Sequence, residues 1–122
     1  MHKILIVDDQ YGIRALLKEV LGKEGYEIFE ASTGMEALDM LENIAPDIML
    51  LDIKIPGMDG IEILKEWKKR KIACQTRVIL MTAYGELDTI KEAKQYVPSS
   101  YLTKPFDIDL VREKVEKELS LK

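Results

Sequence analysis

The sequence predicts an α/β domain built on a five-stranded, doubly wound parallel sheet in the order 2-1-3-4-5, with five helices. Three observations predict it. Short apolar runs without polar alternation recur along the chain, as expected of strands buried on both faces. Segments of helical periodicity separate them, giving five strand–helix units with short connections. The chain has 122 residues, 47% apolar and 33% charged, which suits one domain with one core. At that length, right-handed crossovers make the 2-1-3-4-5 order the common outcome.

The first strand is expected at about Lys3–Val7, rich in Ile and Val. A helix follows from about Tyr11 to Lys23. Ile13, Leu16, Leu17, Val20 and Leu21 share one face of it, and Gly25 is its C-terminal cap. The second strand is about Tyr26–Ala31. Thr33 and Glu36 form a capping box for the second helix, whose inner stripe is Ala37, Leu38, Leu41 and Ile44. Pro46-Asp47 turns the chain into strand three, Ile48–Leu51. Asp59 with Glu62 caps the third helix, with Ile61, Leu64 and Trp67 inward. Strand four is about Arg77–Met81. The fourth helix runs from about Glu86 to Tyr96, with Leu87, Ile90 and Ala93 inward. Pro98 ends it, because its ring cannot continue a helix. Strand five is about Ser99–Thr103, and Asp107 caps a last helix carrying Ile108, Val111, Val115 and Leu119.

The net charge of −4 argues against a nucleic-acid partner, since such binders carry a basic excess. The single cysteine, Cys74, cannot form an intrachain disulfide, which fits a reducing compartment. The first apolar run is too short for a signal peptide and meets Asp8-Asp9. No stretch approaches a membrane span. A cytoplasmic protein with no membrane partner is expected. The chain ends one helix after Lys104, so residues 1–122 are expected to form one domain with no output domain.

Chemistry gathers at the strand exits. Asp8 and Asp9 follow the first run, Asp52 the third, Thr82 the fourth and Lys104 the fifth. In a parallel sheet these exits lie on one edge, and ligands bind beyond the switch point between strands one and three. Two carboxylates at about 4 Å repel by roughly 4 kcal/mol at an effective dielectric near 20, so the acidic trio calls for a cation. Oxygen-only ligands without paired His or Cys favour Mg²⁺, or Mn²⁺, over zinc. Lys104 and the Thr82 hydroxyl suit an anion at the same point. Any one aspartate at a strand exit is ordinarily a cap or turn former; four of five exits with matching chemistry is a different matter. His2 has no partner in the sequence that would make it catalytic. The cluster Lys65, Lys68, Lys69, Arg70 and Lys71 reads as a solvated helix end of favourable sign.

Asp8-Asp9, Asp52, Thr82-Ala83 and Lys104-Pro105, at these separations, resemble the receiver domain of bacterial response regulators along the whole chain. The resemblance implies a flavodoxin-like sandwich and phosphorylation of Asp52. It implies Mg²⁺ held by Asp9, Asp52 and the Lys54 backbone carbonyl, with Asp8 acting through water. Thr82 and Lys104 would bind the phosphoryl oxygens, helped by the Ala83 amide. Thr82 and Tyr101 would form the switch, and Lys104–Pro105 would be cis. Further likeness lies in Asp9-Gln10-Tyr11-Gly12-Ile13-Arg14, in 54–64, in Met81-Thr82-Ala83-Tyr84-Gly85-Glu86-Leu87-Asp88 and in Lys104-Pro105-Phe106-Asp107-Ile108-Asp109. These resemble the single-domain relay receivers of spore-forming bacilli. Residues 69–76 and 96–100 depart from that pattern.

The resemblance implies a phosphorelay intermediate in the initiation of sporulation. It would take a phosphoryl group from a sensor histidine kinase and pass it to a histidine phosphotransferase, with phosphatases as further partners. The docking rim would comprise Gln10, Tyr11, Gly12, Ile13, Lys54, Tyr84, Pro105 and Phe106, with Lys54 and Tyr84 also shielding the acyl phosphate. The alternative is a stand-alone chemotaxis-type receiver that binds an effector when phosphorylated. A phosphohydrolase with an aspartyl nucleophile is disfavoured, because its acid/base aspartate would stand where this chain has Lys54.

Overall fold

The computed structural model describes residues 1–73, 75–83, 87–96 and 99–120. The apolar runs form five parallel strands: β1 (Lys3–Val7), β2 (Glu27–Ala31), β3 (Ile48–Asp52), β4 (Arg77–Ala83) and β5 (Ser99–Lys104). Their order is β2-β1-β3-β4-β5, as the pattern of units predicts. The connecting helices are α1 (Tyr11–Gly22), α2 (Gly34–Ile44), α3 (Gly60–Arg70), α4 (Leu87–Lys94) and α5 (Ile108–Ser120). Successive strand residues point to opposite faces, so each run feeds two cores. Leu5, Val7, Met49, Leu51, Val78 and Leu80 pack with α2, α3 and α4. Ile4, Ile6, Ile48, Leu50, Ile79 and Met81 pack with α1 and α5. Among the described residues, no helix is long and apolar enough to cross a membrane.

Local chemistry sets the helix starts. Thr33 accepts a hydrogen bond from the Glu36 N–H at 3.2 Å, and Asp59 accepts from the Glu62 N–H at 3.0 Å. These satisfy backbone donors that a helix start leaves without intrahelical partners. Trp67 is buried, and its indole N–H donates to the Ile72 carbonyl at 2.6 Å.

Several boundaries differ from the sequence expectation. β3, β4 and β5 run one or two residues further, because the ladder continues through Asp52↔Met81, Thr82↔Thr103 and Ala83↔Lys104. β2 begins at Glu27 rather than Tyr26. Lys23, not Gly25, caps α1 with its N–H on the Glu19 carbonyl; Gly25 turns the chain two residues later at φ +88°. Leu16 is exposed, since it lies on the flank of the stripe formed by Ile13, Leu17, Val20 and Leu21. Ile108 is exposed too, the inward stripe of α5 beginning one turn later at Val111. α4 ends at Lys94, where i→i−3 bonds from Gln95 and Tyr96 tighten the last turn. Cys74, Tyr84, Glu86, Pro98 and the side chain of Leu87 lie outside the described residues.

Gly60 fixes the exit of β3. Its N–H donates to the Ile53 carbonyl at 2.8 Å. A Cβ there would lie 2.8 Å from the Ile53 Cα and 3.1 Å from the Asp52 carbonyl oxygen, both backbone atoms. Gly60→Ala therefore displaces the segment that carries Asp52. Urea unfolding should show a loss of about 1–3 kcal/mol, the usual cost of overpacking. Unchanged stability would mean that the loop gives way freely.

Candidate functional site

Register brings the acidic residues together. Val7 pairs with Leu51, so Asp8 and Asp52 leave adjacent strands at the same level. Both are buried, at 0% and 6% exposure, whereas Asp9 is exposed. Ligand oxygens of Asp8, Asp9 and Asp52 lie within 4.8 Å of one another, a set that could hold a metal ion. An all-carboxylate donor set matches hard divalent cations, so the residues present fit Mg²⁺.

Lys104 comes from two strands away. Met81 pairs with both Asp52 and Leu102, which puts Lys104 two residues beyond the level of Asp52. Its long side chain reaches back across β4, and the ammonium donates to Asp8 Oδ2 at 2.8 Å and to Asp52 Oδ2 at 3.1 Å. The other oxygen of each carboxylate accepts a backbone N–H: Gln10 on Asp8 Oδ1 at 2.9 Å, Lys54 on Asp52 Oδ1 at 3.0 Å.

These surroundings perturb both partners. Burial pushes the Asp52 carboxyl above its ordinary value; the Lys54 amide and Lys104 oppose the rise, and the negative charge of Asp8 adds to it. Burial acts to lower the Lys104 value, but hydrogen bonds and charge attraction from Asp8 and Asp52 outweigh it, leaving the ammonium held above its usual value. The pocket thus combines an acidic pair with a firmly protonated cation.

The remaining candidates divide by position. Thr82 is buried near the end of β4, its hydroxyl donating to the Ala83 carbonyl at 3.2 Å. Tyr101 is 36% exposed on β5, with the Lys114 ammonium 5.9 Å from its ring centroid. Gln10, Tyr11 and Gly12 are exposed where α1 begins, Tyr11 at 75%. A Cβ on Gly12 would meet no atom within 4 Å. Ile13 is half-buried, and Lys54 and Pro105 are exposed. The Lys104–Pro105 bond is cis. Phe106, expected on the docking rim, is half-buried and packs against the core that includes Val111 and Val115 of α5. Tyr84 lies outside the described residues.

Sequence reasoning does not single out Arg14 or Glu30, yet both border the site. Arg14 Nη1 donates to the Asp8 carbonyl at 2.7 Å, and its Nε lies 3.4 Å from Glu30 Oε1. Their spacing of 16 residues carries no motif; only the sheet brings them together.

Comparison with known proteins gives a consistent picture. A response regulator receiver domain matches residues 4–116. The chain is 59% identical over 121 residues to sporulation initiation phosphotransferase F of Bacillus subtilis (strain 168), covering 99% of this chain and 96% of that protein. It is 38% identical over 120 residues to chemotaxis protein CheY of the same organism, covering 98% of each. Chemotaxis protein CheY4 of Vibrio cholerae has a solved structure that superposes with a TM-score of 0.90 at 28% identity, covering 98% of this chain and 99% of that one.

Proposed function

The chain belongs to the response regulator receiver family, and from that premise we propose that it is a phosphorelay intermediate in sporulation initiation. It accepts a phosphoryl group on Asp52 from a phosphohistidine of a sensor histidine kinase and passes it to a histidine phosphotransferase. The observation that carries this reading is the Lys104 ammonium within hydrogen-bond reach of both Asp8 and Asp52, beside the exposed Asp9. The relay role, as against a generic receiver role, draws support from the 59% identity to a phosphotransferase matched along nearly all its length.

Phosphoryl transfer depends on positioning and charge neutralisation more than on covalent help. An oxygen of the Asp52 carboxylate attacks phosphorus in line. The bond from phosphorus to the donor imidazole nitrogen breaks, and its electron pair leaves with that nitrogen. The attacking oxygen carries no proton once Asp52 is ionised, so no general base is needed. Lys104 turns from the carboxylates to the phosphoryl oxygens and offsets their charge. The Thr82 hydroxyl and Ala83 amide donate to the same oxygens, and the shift of Thr82 is coupled to Tyr101. Asp9 and Asp52, with the Lys54 carbonyl and Asp8 in support, would hold Mg²⁺, which would supply further neutralisation of the phosphoryl group.

Donor and acceptor dock over the same aspartate. Gln10, Tyr11, Gly12, Ile13, Lys54, Tyr84, Pro105 and Phe106 form the rim we assign to them. Incubating the phosphorylated protein with a histidine phosphotransferase domain tests the relay directly. Phosphate should leave Asp52 and appear on histidine. Retention on Asp52 throughout, with phosphorylation-dependent binding to an effector, would favour a chemotaxis-type receiver, the class of the relative matched over 98% of both chains.

A further inference from the structure

Asp8 is held at every polar atom. Its N–H donates to the Ala31 carbonyl at 3.1 Å. Oδ1 accepts from Gln10 and Oδ2 from Lys104. Its carbonyl oxygen accepts from Arg14 Nη1 at 2.7 Å, a charge-assisted bond. That last bond has a consequence for the next residue. The peptide unit is planar, so the Asp8 carbonyl, the Asp9 N–H and the Asp9 Cα lie in one plane. Holding the carbonyl fixes where the Asp9 side chain begins. Asp9 is exposed, and that backbone sets the point from which its carboxylate reaches to within 4.8 Å of the Asp8 and Asp52 ligand oxygens.

Arg14 can do this because it is itself braced. Its side chain is only 15% exposed, and its Nε lies 3.4 Å from Glu30 on β2. The Tyr11 ring centroid lies 5.8 Å from its guanidinium carbon, and Lys18 meets the second Glu30 oxygen at 3.5 Å. A planar fork of donors can serve the Asp8 carbonyl and Glu30 at once; a lysine head is a single point and cannot span both.

We propose that Arg14, anchored on Glu30, is a positioning residue that sets the Asp8–Asp9 peptide plane and thereby aims the Asp9 carboxylate at the divalent cation. This role presupposes the cation site proposed above. It makes a prediction opposite in sign to simple electrostatics. Removing a positive charge beside an acidic trio should, by charge alone, tighten cation binding. If Arg14 positions Asp9, its removal weakens binding instead, typically by about 10–100-fold for groups that orient a metal ligand.

Calorimetric titration of MgCl₂ into unphosphorylated wild type, Arg14→Ala and Arg14→Lys, with metal-free melting curves for each, decides the matter. Both variants should bind Mg²⁺ at least tenfold more weakly, the lysine included despite its charge. Affinity equal to wild type, with only a lowered melting temperature, would reduce Arg14 to a structural brace and overturn the role. Tighter binding would overturn it in favour of plain charge. Should Arg14→Ala fail to fold, Glu30→Gln takes its place: weaker Mg²⁺ binding supports the role and unchanged binding overturns it. Wild type that binds no Mg²⁺ would overturn the cation site itself and this role with it, a result distinct from equal binding by all three.

Discussion

Replacing Lys104 with alanine should slow phosphorylation of Asp52 by a small-molecule donor such as acetyl phosphate about 10²–10³-fold, the usual loss when one preorganised charge stabiliser is removed. The same change should destabilise the metal-free protein. Asp8 and Asp52 are buried carboxylates that share this ammonium. Without it they face each other uncompensated, and breaking a buried pair costs about 3–5 kcal/mol. The Lys104 side chain is partly open to solvent, which places the expected loss below that range, at about 2–3 kcal/mol. Its raised value in the folded state fixes the pH dependence. The stabilisation is fully present below the ordinary lysine value and is lost as pH rises through the higher folded value. Urea unfolding of wild type and variant should therefore converge at strongly alkaline pH. Adding Mg²⁺ should stabilise the variant more than wild type, because a bound cation replaces the missing charge. A variant that matches wild type in labelling rate and stability would make Lys104 a bystander.

Asp52→Asn should abolish phosphorylation and yet raise the stability of the metal-free protein at neutral pH. Burial holds the Asp52 carboxyl above its ordinary value, with the charge of Asp8 adding to the rise. Between the ordinary and the raised value the folded state binds more protons than the unfolded one, so stability falls as pH climbs through that window. Above it the ionised carboxylate remains a net cost, which an amide removes while still accepting from the Lys54 N–H. The gain should appear as a higher melting temperature, each kcal/mol raising it by about 4 °C in a chain of this size. The advantage should shrink as pH drops below the ordinary carboxylate range, where Asp52 is protonated in both states. With Mg²⁺ present the ranking should narrow or reverse, since the amide is a poorer ligand. Wild type that is the more stable of the two without metal at neutral pH would contradict this account of the pocket.

The strands and helices are legible in the sequence because burial on two faces leaves unbroken apolar runs and burial on one leaves a helical stripe. The acidic trio and Lys104 are legible for a related reason: each stands at the end of such a run, and a parallel sheet brings all such ends to one edge. The places where sequence reasoning falls short depend on geometry that no run encodes. The ladder extends through Asp52, Thr82 and Lys104, because strand length is decided by the neighbouring strand rather than by the residue itself. Leu16 and Ile108 carry apolar side chains yet lie on the flank of their helices' inward stripes, more than a third exposed. Gly60 and Arg14 act through backbone atoms of Ile53 and Asp8, and contacts to backbone leave no pattern of residue types behind.

Reductive trapping tests the central claim most directly. The protein is exposed to acetyl phosphate and Mg²⁺, quenched with borohydride and mapped by mass spectrometry, since an aspartyl phosphate so treated becomes homoserine. Conversion at position 52 alone, absent without donor and absent in Asp52→Asn, is the predicted result. An unmodified residue 52, or conversion at Asp8 or Asp9 in its place, would contradict the assignment of Asp52 as the phosphoryl acceptor.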